Sequence, residues 1–253
     1  MANTGTGESP GKCGLASVDY DDIRSKVENN GFAVAKNIIS CDIIKRMREW
    51  WLGIYNGKIL HAPVIWGPYF GEPNQVLFHS SNTCLMYRAY DFLWNSPIDP
   101  LTREIGLELS RIRNVIAGTN RMNGEILSAD RYGIYLTTSY YPPGQGWLAK
   151  HQDHSDGRNH WHYMLQLTHK GISYTEGGLY IFSRSGEKID IDAMVNPGDI
   201  VFFDGTCSHG VDIVSGGTGV GRLQMFSIPT FLETPQQNDR MLEGVSFSRF
   251  LKA

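Results

Sequence analysis

The residues in this sequence best placed to do chemistry are His151, Asp153 and His209. Side chains two apart in a strand project to one face, so His151-Gln152-Asp153 offers an imidazole and a carboxylate to one cavity. His209 lies 209 − 151 = 58 residues on, after the strand-like run Asp199–Asp204 and a short turn. Two histidines and a carboxylate on one face of a metal leave its other positions open, a donor set suited to non-haem Fe(II). An HxD pair alone is a weak signal, because a strand histidine is more often a packing residue. His160 and His162 form a competing HxH pair, which with His209 would suit a redox-inert, cupin-like metal-binding protein. His154 points away from the ligand face if the strand continues, and His61, His79 and His169 read as ordinary loop or surface residues.

The elements that must position these groups fall into two halves. Ser17 can cap a helix running through Asp21 to about Asn29, closed by Asn30-Gly31, and Phe32–Ala35 is a short apolar strand. Ser40 caps a second helix with apolar residues at helical period (Ile43, Ile44, Met47, Trp51, Ile54), ending at Asn56-Gly57. Leu101, Ile105, Leu109, Ile112 and Ile116 mark a third. Between them, His61–Asn95 is rich in Pro, Gly and aromatics, without a clear period; this loop-like composition suits a substrate-side wall or lid, and packing against the core would produce the same composition. From Arg131 short apolar runs recur: Tyr132–Tyr141, Trp147–His151, Trp161–Thr168, Gly178–Phe182, Ile200–Phe203 and Arg222–Pro229. Turn residues separate them, which predicts a β-sandwich or barrel. The expected organisation is a disordered lead over 1–16 and one domain over 17–253. Within it, 17–130 is a helix-rich support and substrate-side region, 131–230 the β core, and 231–253 an extension.

Several landmarks follow in order: Tyr141-Pro-Pro-Gly, His151-Gln-Asp153, Glu176-Gly177-Gly178-Leu179, Asn196-Pro197-Gly198-Asp199, His209-Gly-Val211 and Gly221-Arg222. Over roughly residues 131–230 the sequence resembles the Fe(II)- and 2-oxoglutarate-dependent dioxygenases, in the pattern shared by prolyl-hydroxylase-like and phytanoyl-hydroxylase-like members. The resemblance implies a mainly β fold with flanking helices around a double-stranded β-helix (jelly roll, cupin-like) core. It implies Fe(II) held by His151, Asp153 and His209, with 2-oxoglutarate and O2 as co-substrates. It also implies that Arg222, 13 residues past His209, pairs with the distal carboxylate of 2-oxoglutarate, a task that suits the planar guanidinium fork. The surrounding strand is apolar, where an unpaired charge is costly. Tyr141 and Gln166 are either co-substrate contacts or packing residues, and Gln224 is a further helper on the face of Arg222.

The reaction implied is hydroxylation of an unactivated C–H bond with release of succinate and CO2. Halogenating relatives have a small residue where Asp153 stands. For the substrate, the aromatic-rich segment Val64–Trp94 and the strand Tyr135–Tyr141 are expected to wall the pocket, with Trp66, Tyr69, Tyr135 and Arg158 as candidate contacts. Arg88 is the choice if the substrate carries a carboxylate or phosphate. A small molecule such as an amino acid or natural-product intermediate is favoured, and a peptide or protein hydroxylase is the alternative. The 253 residues carry 23 basic against 26 acidic groups, net −3, without a long run of one sign, which argues against a nucleic-acid partner. No apolar run approaches a membrane span, and the four scattered cysteines form no CxxC pair, so reduced thiols and a cytoplasmic location are expected.

Overall fold

The computed structural model describes residues 15–59, 74–125, 132–153 and 161–231. Its elements run α1 (Tyr20–Asn30), β1 (Phe32–Ala35), α2 (Cys41–Tyr55), β2 (Gln75–Ser80), β3 (Cys84–Phe92), α3 (Pro100–Ile116) and β4 (Tyr132–Tyr141). The chain continues with β5 (Gly146–His151), β6 (Trp161–Gln166), β7 (Glu176–Phe182), β8 (Lys188–Asp190), β9 (Ile200–Asp204), β10 (His209–Ser215) and β11 (Arg222–Phe231). All eleven strands join in one antiparallel sheet of order β1-β9-β6-β11-β4-β3-β5-β10-β7-β8, with β2 on β3. The order is that of a jelly roll, as expected: from β4 on, the strands alternate between the β9-β6-β11-β4 side and the β5-β10-β7-β8 side, except that β7 and β8 pair directly as neighbours on the second side.

Residue parity sorts the two faces. Along β6, Trp161, Tyr163 and Leu165 join the core beneath the helices, while Met164 packs with Leu179, Ile181 and Phe203 inside the roll. Every residue of β6 is buried, which hides the alternation that marks a half-exposed strand. Helix α3 lies on this sheet with no room to spare: a Cβ on Gly106 would come 2.8 Å from a Leu136 methyl. The Tyr163 hydroxyl donates to the Gly106 carbonyl at 2.9 Å, and Trp51 of α2 donates to Thr102 Oγ1 at 2.8 Å. Arg24 of α1 donates to Val115 and Ile116 carbonyls, satisfying acceptors that the end of α3 leaves without helical partners.

The helix ends differ in detail from expectation. Asp19, not Ser17, caps α1, accepting from Asp22 N at 3.1 Å. Ser40 sits at the N-cap of α2 without a side-chain bond, and Asp99 with Pro100 begins α3 one residue early. The larger correction concerns His61–Asn95. The part of it within the described residues holds two paired strands, β2 and β3, rather than a loop, and β3 joins β4 in the roll. Strand β3 is buried without a break from Arg88 to Phe92, and its first four residues, Cys84-Leu85-Met86-Tyr87, carry no polar alternation to read. Leu15 forms a bridge with Ile39, inside the expected lead. Among the described residues no helix is long and apolar enough to cross a membrane, and Cys41, Cys84 and Cys207 are free thiols.

Candidate metal centre

Strand pairing brings the three predicted ligands together. His151 ends β5 and His209 begins β10; their Cα positions are paired and their rings lie 4.2 Å apart. Asp153 lies two residues beyond the end of β5, so strand parity alone does not aim it. Its N–H donates to the Gly205 carbonyl at 2.8 Å, which fixes the turn. His151, Asp153 and His209 each offer a ligand atom, all within 4.8 Å of one another. Asp153 Oδ1 is 4.0 Å from His151 Nε2, and its Oδ2 is 3.7 Å from His209 Nε2.

Both histidines are held in the tautomer a metal needs. His151 Nδ1 donates to the Ala149 carbonyl and His209 Nδ1 to the Cys207 carbonyl, each at 2.9 Å. A carbonyl can only accept, so the proton sits on Nδ1 and the Nε2 lone pair is free to ligate. Burial pushes the His209 imidazolium down to about 4, against the opposing pull of Asp153. At neutral pH His209 is therefore already deprotonated. Burial alone would raise the Asp153 carboxyl, but the His162 imidazole beside it, then His209 and His151, hold it well below the usual carboxylate range.

His162 and Gly205 are the parts that sequence reasoning did not place. Inward on β6, His162 puts Nε2 2.7 Å from Asp153 Oδ2 and steadies the carboxylate rather than joining the three-ligand group. Its rival partner His160 lies outside the described residues. A Cβ on Gly205 would stand 2.6 Å from Asp153 Oδ2 and 2.7 Å from His162 Nε2. Only the absence of a side chain lets this turn approach the carboxylate. Gly205→Ala is expected to leave the circular dichroism spectrum unchanged while weakening Fe(II) binding on the order of 10- to 100-fold, read by anaerobic calorimetry.

The three groups open into a cavity whose other walls are mainly apolar: Leu148, Met164, Leu179, Phe203, Val211, Phe226 and Ile228. Tyr141, Gln224 and Arg88 supply its remaining polar lining, along with His162. Tyr135 is buried but packs against Tyr90, Phe92 and Ile228. Trp66, Tyr69 and Arg158 lie outside the described residues, as do His61, His154 and His160. His79 bonds the Tyr90 hydroxyl, and His169 the Asn196 side chain, so both have local structural partners.

Arg222 and Gln166 do not line that cavity but meet in a buried polar cluster, in which Arg222 Nη1 has no hydrogen-bond partner among the described residues. The Arg222 guanidinium donates through Nε to Asp192 Oδ2 at 2.5 Å and through Nη2 to Oδ1 at 3.0 Å, with both side chains fully buried. Tyr174 donates to the same Asp192 Oδ2 at 2.6 Å, and Gln166 donates to Tyr174 at 3.0 Å. Burial would lower the Arg222 pKa, but Asp192 outweighs it and raises it. Gly178 makes this possible: its φ is +102°, and a Cβ there would stand 2.2 Å from Asp192 Oδ2. The Glu176-Gly177-Gly178 motif thus shapes the arginine's counter-ion site.

No protein-family model matches the chain, and no curated protein does. Solved structures do match by shape. A Pseudomonas putida prolyl-4-hydroxylase is similar with a TM-score of 0.56 at 16% identity, covering 82% of this chain and 96% of that one. The non-haem alpha-ketoglutarate-dependent epimerase SnoN of nogalamycin biosynthesis matches with a TM-score of 0.55 at 11% identity, over 83% and 82% of the two chains. It is also known in complex with Fe3+, alpha-ketoglutarate and nogalamycin RO. A Trichoplax adhaerens prolyl hydroxylase, bound to a hypoxia-inducible-factor peptide, matches with a TM-score of 0.53 at 14% identity, over 85% and 90%. At these identities the likeness establishes the shared fold.

Proposed function

We propose that the protein is an Fe(II)- and 2-oxoglutarate-dependent oxygenase that hydroxylates a small molecule. The observation that carries this reading is the His151–Asp153–His209 group, with Asp153 and His209 buried and both histidines presenting Nε2, lining a mainly apolar cavity. Two neutral imidazoles and one carboxylate fit a divalent iron and leave its remaining positions for other ligands. When bound, the iron supplies the redox chemistry by which 2-oxoglutarate, O2 and a C–H substrate become succinate, CO2 and an alcohol.

The chain's own residues do the rest. His151, Asp153 and His209 hold the metal, and His162 with Gly205 keeps the Asp153 carboxylate turned toward it. The apolar walls exclude water and leave the substrate little to hydrogen-bond, so shape and the few polar groups select it. Proteins of similar fold include an epimerase from nogalamycin biosynthesis and a prolyl hydroxylase in complex with a peptide, so substrate size is the first question to test. Iron-loaded protein incubated with 2-oxoglutarate under air is expected to form succinate, accelerated by one member of a small-molecule panel and not by peptides. Peptide-dependent succinate formation would favour the peptide hydroxylase, and no 2-oxoglutarate consumption at all would leave the cupin-like alternative.

A further inference from the structure

The interior of the roll is layered along its strands. Alternate residues of β11 run Arg222, Gln224, Phe226, Ile228; strand parity gives them one face, and the last three line the metal cavity. Gln224 pairs with Ser139, which pairs with Arg88 of β3, so both buried guanidiniums belong to the first two rows. Phe226 pairs with Met164 of β6, and Ile228 pairs with Tyr135 and packs against Tyr90 and Phe92. One step past Met164 on β6 comes His162, which meets Asp153, so the metal centre stands at the Ile228 end. At about 3.4 Å per residue, the two arginine rows lie about 13 to 20 Å from Ile228 along the strand.

Fixed charge balances in this interior before any substrate enters. Arg222 is matched by Asp192. Among the described residues, the only Arg, Lys, Asp or Glu side chains in the cavity lining are Arg88 and Asp153, one of each sign. Iron(II) adds two positive charges and 2-oxoglutarate two negative ones, so the sum is zero. Both guanidiniums keep a buried Nη1 without a partner, and the sum is the same whichever of them the co-substrate's distal carboxylate meets. Either way the co-substrate extends from the metal toward the arginine rows, which leaves the Ile228 end for the substrate. An ionised group there would add an unmatched charge to an apolar wall, and burial makes that costly. We propose that the substrate is uncharged over the part that enters the roll, an apolar ring or chain packed against Phe226, Met164 and Ile228, and that Ile228 sets its size. Ile228 separates the cavity from the Tyr90–Phe92–Tyr135 cluster, so trimming it extends the cavity toward those rings. The inference rests on the oxygenase reading and names its substrate class.

The probes are matched trios on one skeleton: 3-phenylpropan-1-ol, 3-phenylpropanoate and 3-phenylpropylammonium, and the same three head groups on 2-naphthyl and 1-adamantyl skeletons. Their binding to protein loaded with Fe(II) and 2-oxoglutarate is measured by anaerobic calorimetry. Within each skeleton that binds, the alcohol is expected to be tighter than both charged members by at least about tenfold. Ile228→Ala should shift affinity toward the two bulkier skeletons by about threefold or more relative to phenyl, and leave the preference for the alcohol in place. The charge preference is read on wild type alone, so it is tested even where the variant does not fold. Charged members that bind as tightly as their alcohols, or alcohols that all fail to bind while 2-oxoglutarate binds, overturn the inference and leave the oxygenase reading standing. An unchanged order of skeletons in folded Ile228→Ala overturns the role of Ile228. Failure of 2-oxoglutarate itself to bind removes both readings.

Discussion

Asp153→Ala is expected to weaken Fe(II) binding by at least about a hundredfold and to take succinate formation below detection. The magnitude follows from what the residue does. Asp153 is the sole anion in the three-ligand group, and its removal leaves two neutral imidazoles facing a dication in a buried site. Loss of a group that merely supports a ligand costs about 10- to 100-fold in metal affinity, so loss of a ligand sets a floor above that range. The variant has a second signature. In wild type the His162 imidazole lies 2.7 Å from the carboxylate, and in the variant it loses that partner. His162→Phe in an otherwise intact site should therefore weaken the metal less than Asp153→Ala does. Anaerobic calorimetry and the iron content of purified protein read both. An Asp153→Ala protein with wild-type iron content would mean that the metal is held elsewhere, and the proposed centre would be wrong.

The second large effect is on stability. Asp192→Ala is expected to destabilise the protein by about 3–5 kcal/mol, because it strands the Arg222 guanidinium, fully buried, with its principal acceptor gone. The same carboxylate accepts from the Tyr174 hydroxyl and the Leu179 N–H, so those donors are orphaned too. For a domain of about this size the loss corresponds to a fall in Tm on the order of 10 °C, out of a total stability of roughly 5–15 kcal/mol. The neutral pair Asp192→Asn/Arg222→Gln should recover most of it, since a matched removal of both charges also removes their desolvation cost. Thermal and urea denaturation of the metal-free proteins distinguish the cases. An Asp192→Ala protein as stable as wild type would show that the pair is dispensable to the fold.

Much of the scaffold was readable because its signals are local. Helical period in Ile43–Ile54 and Leu101–Ile116, turn residues at Asn30-Gly31, and the Asn196-Pro197-Gly198-Asp199 turn all report on neighbours along the chain. The turn's role is visible in the structure: Asp199 accepts from Asn37 N and Asn196 N, and the Gly198 carbonyl accepts from Ile38 and Ile39. Strand β3 was not readable. A strand buried on both faces loses the period of two that betrays a half-exposed one, and its aromatic residues read equally well as loop packing.

For the site, the sequence by itself supplied the candidate groups: two histidines and one aspartate whose order and spacing suit a metal centre, and one arginine on a late apolar strand. Tertiary structure decided which groups surround them. His162 meets Asp153 because β6 presents its even-numbered residues inward, and Gly205 reaches that carboxylate through a turn 52 residues away in the chain (205 − 153). Asp192 holds Arg222 through two of its nitrogens across 30 residues of chain, while among the described residues Arg88 on β3 makes no salt bridge to a carboxylate. The physical reason is common to all of these. Ligand type is a property of a residue, whereas burial, counter-ions and orphaned donors are properties of a neighbourhood, and only the folded sheet brings that neighbourhood together.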